Sequence, residues 1–289
     1  MASDYREIFL ADNNTCKEII WPLVQDGLRA QSSAGTNFYV KAFVNGPMDE
    51  LYKTGVGSRG WGNVRAKVSL VDAFDADDVM FDGNDTWGNN KKDKRAQFMT
   101  ALPNQVKDTW DVNMDMTSTF TCGYGYIKWR NVTKEDELCP SGDAYTSIDF
   151  PLFRTADAYL MAAEAILRGA NGTQSEALGY VNEVRTRAYM SGKYAKNGVR
   201  SDVSGEITAN ELNLDFLLVE RQKELASELT RRTDLIRFGK YTKGNNWDWK
   251  NGVRLGADVD DKYNLFPIPE SELTNNPTLV QNDGYKVMK

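Results

Sequence analysis

The charged side chains in the second half of the chain are the first that could do chemistry. Glu164, Glu220, Glu224, Glu228 and Asp234 alternate with Arg154, Arg185, Arg221, Arg231 and Arg237, enough to supply an acid, a base and an anion clamp. Hydrolysis of a glycosidic bond needs only two carboxylates, roughly 5–10 Å apart. It would survive the oddest fact of the composition, that the 289 residues include no histidine. That absence removes Ser-His-Asp and Cys-His machinery, an imidazole base and the usual His-containing zinc sites. The acids lie in helical sequence with an arginine within reach of most of them, a pattern that usually ties helices together. The structural reading is preferred, with a glycoside hydrolase kept as an alternative.

The acidic run Asp72, Asp75, Asp77, Asp78, Asp82 and Asp85 invites a calcium ion. It lacks the D-x-[DN]-x-[DN]-G frame with a closing Glu, so a solvated acidic turn is preferred and no cofactor is expected.

Two Gly/Asn-rich loops carry a different chemistry. Arg59-Gly60-Trp61-Gly62-Asn63 and Asn84-Asp85-Thr86-Trp87-Gly88-Asn89-Asn90 each set an indole among glycines, amides and charges, with no apolar neighbours for the ring to join. Flat apolar faces rimmed by Asn, Asp and Arg suit the C–H faces and hydroxyls of a sugar ring. The candidate ligand residues are therefore Arg59, Trp61, Asn63, Asn84, Trp87 and Asn89, with Trp110 beside Asp111 and Asn113 as a third indole. The competing possibility, that each ring folds back as a loop anchor, stays open. Trp247 and Trp249 read as loop packing, and Tyr126 and Trp129, alternating in a strand-like run, as core.

Counts of 35 basic and 41 acidic residues give a net charge of −6, which disfavours nucleic acid. Three cysteines are too few for a disulfide scaffold. Cys122 and Cys139 could bridge an aromatic segment, although two buried thiols are preferred. No apolar run approaches the ~18 residues that span a bilayer, and the start has no secretory signal. The chain as it stands is expected to be soluble.

These residues need elements to hold them, and the pattern changes near residue 150. Residues 1–150 read as loop-rich, with a short helix within Val64 to Phe74 and a strand within Gly123 to Val132. Residues 151–289 read as a helical scaffold. Ala156, Tyr159, Leu160, Ala163, Ile166 and Leu167 define one amphipathic helix and Ala177, Leu178, Val181, Val184 and Ala188 a second, antiparallel across a short link. Thr208 and Glu211 form the sequence of a capping box, predicting a third helix of some twenty residues from there. The helix pair resembles one tetratricopeptide-type unit, which cannot bury its own face and so needs neighbours. Residues 264–285 carry three prolines yet many apolar side chains, and are expected to be strapped across the helices.

Four blocks, in order, resemble the C-terminal part of the SusD/RagB family. They are DFPLFRTADAYLMAAEA at 149–165; Ala177-Leu178 with VNEVRTRA at 181–188; ERQKEL at 220–225 with Arg231, Asp234-Leu235 and Arg237-Phe238-Gly239; and Phe266-Pro267-Ile268-Pro269, Glu272-Leu273, Asn276-Pro277, Gln281-Asn282 and Gly284-Tyr285. The first half agrees more loosely, through Asn13-Asn14, Glu18-Ile19-Ile20-Trp21 and the Trp61 to Asp78 segment. Leu229 stands where the family usually has a glycine.

The resemblance implies a mainly α fold, a superhelix of tetratricopeptide-like repeats carrying long irregular loops and a few short strands. It implies a non-catalytic surface lipoprotein of the Bacteroidetes outer membrane, which binds glycans and hands them to a SusC-like TonB-dependent transporter. Members are about twice as long and begin with a signal peptide and a lipobox cysteine. This chain is therefore expected to be a fragment whose only membrane contact, an N-terminal lipid anchor, it does not carry. Within the resemblance the charged residues are scaffold, residues 1–150 face the ligand, and some members bind ions. The alternative function is a protein–protein interaction module of the tetratricopeptide type.

Overall fold

A computed structural model describes every residue except 34, 45–48, 50–51, 80–90, 100–122, 191–202 and 287–289. The described residues form two units, Met1–Leu229 and Thr230–Lys289. The change of composition near residue 150 lies inside the first.

In the first unit, strand β1 (Ile19–Leu23) precedes helix α1 (Thr36–Ala42), two single-turn helices, α2 (Val68–Val71) and α3 (Ala76–Val79), and the short strands β2 (Phe98–Met99) and β3 (Gly125–Tyr126). Strand β4 (Phe150–Arg154) then runs directly into α4 (Thr155–Leu167), followed by α5 (Gln174–Met190) and α6 (Leu214–Glu224). The architecture is mainly helical with few strands. β1 pairs antiparallel with β4, Ile19 opposite Arg154 and Leu23 opposite Phe150, and β2 with β3. Pro22 faces Pro151 across the first ladder. A two-stranded ribbon tolerates this because each strand is an edge and can spare an N–H.

The helix predicted within Val64 to Phe74 is a single turn, α2. Of the strand predicted over Gly123 to Val132, only Gly125–Tyr126 forms a ladder. The reason is that its backbone donors go to three separate segments. Ile127 donates to Gln97 (2.8 Å), Arg130 to Phe9 (3.1 Å) and Asn131 to Thr54 (2.7 Å). The segment is a hub at the centre of the first core, and Tyr126 and Trp129 are buried there as expected. Trp129 lies flat on Phe150 (centroids 5.5 Å, 7°), stacks on Tyr39 (5.3 Å) and meets Phe9 edge-on (4.9 Å).

The second core is helical. Ala156, Leu160 and Ala163 of α4 pack with Ala177, Val181 and Val184 of α5 and Leu217 of α6. Alanine at the contact lets backbones approach, and the spacing read from the sequence marks this face.

The third helix starts later than predicted, at Leu214. Thr208 does engage Glu211, but its hydroxyl donates to the carboxylate (2.8 Å) instead of accepting a backbone N–H, so the pair closes only a turn. The working cap is Asn213, extended at φ −148°, whose Oδ1 accepts from the Phe216 N–H at 2.9 Å.

Leu229 has φ +64° and its side chain is 74% exposed. The left-handed region costs an L-residue about 1–2 kcal/mol, and burial returns little here. Leu229→Gly is expected to raise stability by up to about 1 kcal/mol, glycine's greater unfolded-state freedom taking back part of the relief. A denaturation midpoint no higher than the parent's would refute this.

The second unit holds helices α7 (Arg231–Arg237) and α8 (Glu270–Asn275). The Arg232 guanidinium sits between the rings of Phe266 (4.1 Å) and Tyr241 (4.9 Å) and donates to the Tyr263 carbonyl at 2.8 Å. Prolines deny the tail a ladder, and side-chain amides substitute for it. Gln281 accepts from the Ile268 N–H (2.8 Å) and donates to the Ile268 carbonyl (2.9 Å), and Asn282 donates to the Phe266 carbonyl (2.8 Å). Leu265 and Phe266 are exposed. Trp247 packs on Tyr241 (5.5 Å) as a loop contact.

Candidate functional site

Helix α1 positions the candidate surface. At its start the Thr36 hydroxyl donates to the Ile148 carbonyl (2.9 Å), and Asn37 Oδ1 accepts from the Thr146 N–H (3.0 Å). At its end the helix leaves carbonyls without intrahelical partners, and the Trp61 loop supplies the donors. The N–H of Trp61 reaches Lys41 O (2.8 Å), that of Gly62 reaches Val44 O (2.7 Å), and those of Asn63 and Val64 share Ala42 O (3.0 and 2.9 Å). Gly62 turns at φ +59°, a conformation glycine adopts without strain.

Capping the helix in this way brings Trp61 against Phe38, ring centroids 6.2 Å apart at 60°. Trp61 keeps 42% of its surface exposed and Phe38 44%. Trp61 is thus partly a loop contact and partly an open face. Successive positions on α1 diverge, so while Phe38 faces solvent, Tyr39 enters the core and stacks on Trp129. The exposed pair has a rigid aromatic backing.

Polar groups rim it. Arg59 Nε donates to Asp143 Oδ1 at 3.0 Å, both side chains being about half exposed. Lys41 donates to the Ala144 carbonyl. Burial first, and then Arg59, pull its ammonium below the usual lysine range, while Asp143 opposes. The exposed Asn63 completes the rim. Asn84, Trp87, Asn89 and Trp110 lie outside the described residues. Phe38, Lys41 and Asp143 were not singled out from sequence. For Phe38 a signal existed: two adjacent aromatics on a short helix cannot both face one core.

Most of the charged residues weighed for hydrolysis lie inside the first unit; Arg231, Asp234 and Arg237 belong to the second, where Arg237 binds Asp234 (2.8 Å). Arg154 binds Glu18 (2.9 Å), Glu224 (2.6 Å) and Glu228 (2.7 Å); Arg95 binds Asp93 (2.8 Å) and Glu220 (2.6 Å); Arg185 binds Glu220 (2.6 Å); Arg187 binds Glu224. All but Arg185, slightly less so, are almost fully buried. Lys128 joins Glu228 and the Ala226 carbonyl (2.8 Å). Burial pushes Lys128 down to about 8 despite Glu228. Burial alone would raise Glu224, but Arg187, Arg154 and Arg95 outweigh it and hold the carboxyl far below the usual range. Asp93 is likewise lowered, with Arg95 overcoming burial. These acids face arginines, and no cleft opens on them among the described pockets.

A carboxyl depressed in the folded state contributes stability that is complete above its ordinary value and lost as pH falls below it. Glu224 and Asp93 place the start of that loss near pH 4.5. Thermal unfolding is expected to give a Tm that drops steadily below about pH 4.5 and changes little between about pH 5 and 7. A Tm unchanged down to about pH 3 would show that the network is not ionised as described.

Of the acidic run, Asp78 accepts the N–H groups of Lys92 (2.6 Å) and Asp93 (3.0 Å), a backbone clamp. Asp82 and Asp85 lie outside the described residues. Among the described residues no group of three or more Cys, Asp or Glu could hold a metal ion, and no helix is long and apolar enough to cross a membrane. Cys139 is a buried free thiol; Cys122 is not among the described residues.

The model of the SusD family matches residues 17–285. The chain belongs to the SusD family. It is 31% identical over 316 residues to the starch-binding protein SusD of Bacteroides thetaiotaomicron, covering 99% of this chain and 53% of that protein. Among solved structures, surface glycan-binding protein A from Bacteroides uniformis superposes with TM-score 0.59 at 22% identity, over 98% of this chain and 52% of that one. The Bacteroides thetaiotaomicron protein of the same name, in complex with laminarihexaose, gives TM-score 0.59 at 19% identity, over 98% and 55%. At these identities the two structures bear on the fold alone. The chain spans about half the length of these three proteins.

Proposed function

We propose that this chain binds an oligosaccharide without altering it, through the surface built on Phe38 and Trp61, as part of a glycan-capture protein at the outer surface of the cell. In the whole protein the bound glycan is passed to a SusC-like TonB-dependent transporter, with a lipid anchor holding the protein at the outer membrane. One observation carries the reading. Two aromatic rings stand half exposed on a rigid backing, with an arginine, a carboxylate and an amide at their rim, the arrangement a pyranose needs for its C–H face and hydroxyls. The family relative named as starch-binding and the fold neighbour in complex with laminarihexaose support a glucan as the first ligand to try. Asn84, Trp87, Asn89 and Trp110 remain proposed contacts on the strength of their sequence setting.

Affinity electrophoresis against soluble starch, laminarin, xylan, mannan and host glycans tests the reading. Retardation by at least one, with no reducing sugar released on long incubation, is expected. Sustained release would establish a hydrolase. No retardation by any glycan, with specific capture of a peptide by the helical faces instead, would favour the protein–protein module.

A further inference from the structure

The proposed site carries a charge balance that selects among glycans. We propose that the Arg59–Asp143 pair makes the Phe38–Trp61 surface specific for uncharged sugars bearing neighbouring hydroxyls, with Asp143 the residue that excludes acidic ones. This rests on the reading above and goes further, to the class of ligand.

The cations at this surface are already committed. Lys41 gives its ammonium to the Ala144 carbonyl, and Arg65 donates to the carbonyls of Gly62 (2.7 Å) and Val64 (3.1 Å). Arg59 is exposed but holds Asp143, which reaches it across 84 positions of sequence. The carboxylate lies close against Gly57, which turns at φ +53°: a Cβ there would lie 2.9 Å from Asp143 Oδ2. A guanidinium has five N–H donors and one of them is used in this contact. The pair therefore offers donors and an acceptor side by side. One sugar hydroxyl can accept from Arg59 while its neighbour donates to Asp143, and both contacts are charge-assisted.

A uronic acid or sulfated sugar meets the opposite situation. Its anion can use the remaining Arg59 donors only by sitting beside the Asp143 carboxylate. Like charges at contact disfavour binding, and no uncommitted cation among the described residues of the surface compensates. The pair itself is a half-exposed surface bridge that adds little to folding stability. Its position beside the exposed rings is thus explained by binding better than by stability.

Asp143→Asn keeps shape and removes the charge, so the fold is expected to be retained, as checked by an unchanged Tm. Calorimetric titration of the parent, Asp143→Asn and Trp61→Ala with maltohexaose, laminarihexaose and hexagalacturonate separates the outcomes. The parent is expected to bind a neutral hexaose and reject hexagalacturonate. Asp143→Asn is expected to lose about tenfold in affinity for the neutral sugar and to gain hexagalacturonate binding that weakens with salt. Trp61→Ala should lose the neutral sugar and gain no hexagalacturonate binding. Equal binding of neutral and acidic sugars by the parent overturns the proposal, as does an Asp143→Asn variant with the parent's selectivity, and in either case the binding function stands. A parent that binds none of these sugars nor any glycan of the panel overturns both.

Discussion

Arg154→Ala is expected to destabilise the protein by about 3–5 kcal/mol at neutral pH. The guanidinium is 1% exposed and contacts Glu18, Glu224 and Glu228, each of them almost fully buried. It also donates to the Glu224 carbonyl at 2.8 Å. Removing it leaves carboxylates in a low-dielectric interior with fewer cations and nowhere to hydrate. The loss would be a large share of a typical total stability of about 5–15 kcal/mol. The cost arises from the stranded charge more than from the lost attraction. Adding Glu228→Gln to Arg154→Ala should therefore recover part of the loss, giving a coupling of at least about 1 kcal/mol in a double-mutant cycle. Urea denaturation of the four proteins measures it. Additive effects, or an Arg154→Ala loss below about 1 kcal/mol, would mean that the network is hydrated or neutralised.

Trp61→Ala is expected to weaken glycan binding by at least about 2 kcal/mol, some thirtyfold in Kd, while leaving Tm close to the parent's. The two halves of that statement have different causes. Stability is spared because the backbone donors of residues 61–64, not the indole, cap α1, and because 42% of the ring is already in solvent. Binding is not spared because the flat face is what a sugar ring would cover. Phe38→Ala should act in the same direction and more weakly, its ring being smaller. A Trp61→Ala protein with full affinity would move the site to residues outside this surface. A large drop in Tm would instead make the indole a loop anchor, the competing reading of the sequence.

How far the sequence alone could reach depends on the range of the interaction. Helices α4 and α5 were legible because their apolar spacing is a local property, expressed over the same residues that form the core. Thr208 and Glu211 misled because a capping box specifies two side chains and not which of several rotations the hydroxyl takes. The hub at Ile127 to Asn131 was missed as such because its backbone partners at Gln97, Phe9 and Thr54 lie 30 or more positions away, where no periodicity records them. The charged helices were recognised as scaffold, yet Glu18 and Arg95, partners as central as any, escaped notice since nothing local marks them. At the candidate surface the indole showed itself through its polar, glycine-rich setting. Asp143 did not, because its role depends on a contact 84 residues away.

The most direct test is residue-level oxidation of the tryptophans by N-bromosuccinimide, read by peptide mass spectrometry with and without laminarihexaose or maltohexaose, whichever binds. Trp21, 61% exposed on β1 with its ring against Phe153 and not Phe38, serves as the internal control, and buried Trp129 as the unreactive one. The account predicts that glycan protects Trp61 while Trp21 oxidises at the same rate in both conditions. Saturating glycan that leaves Trp61 oxidation unchanged would contradict it.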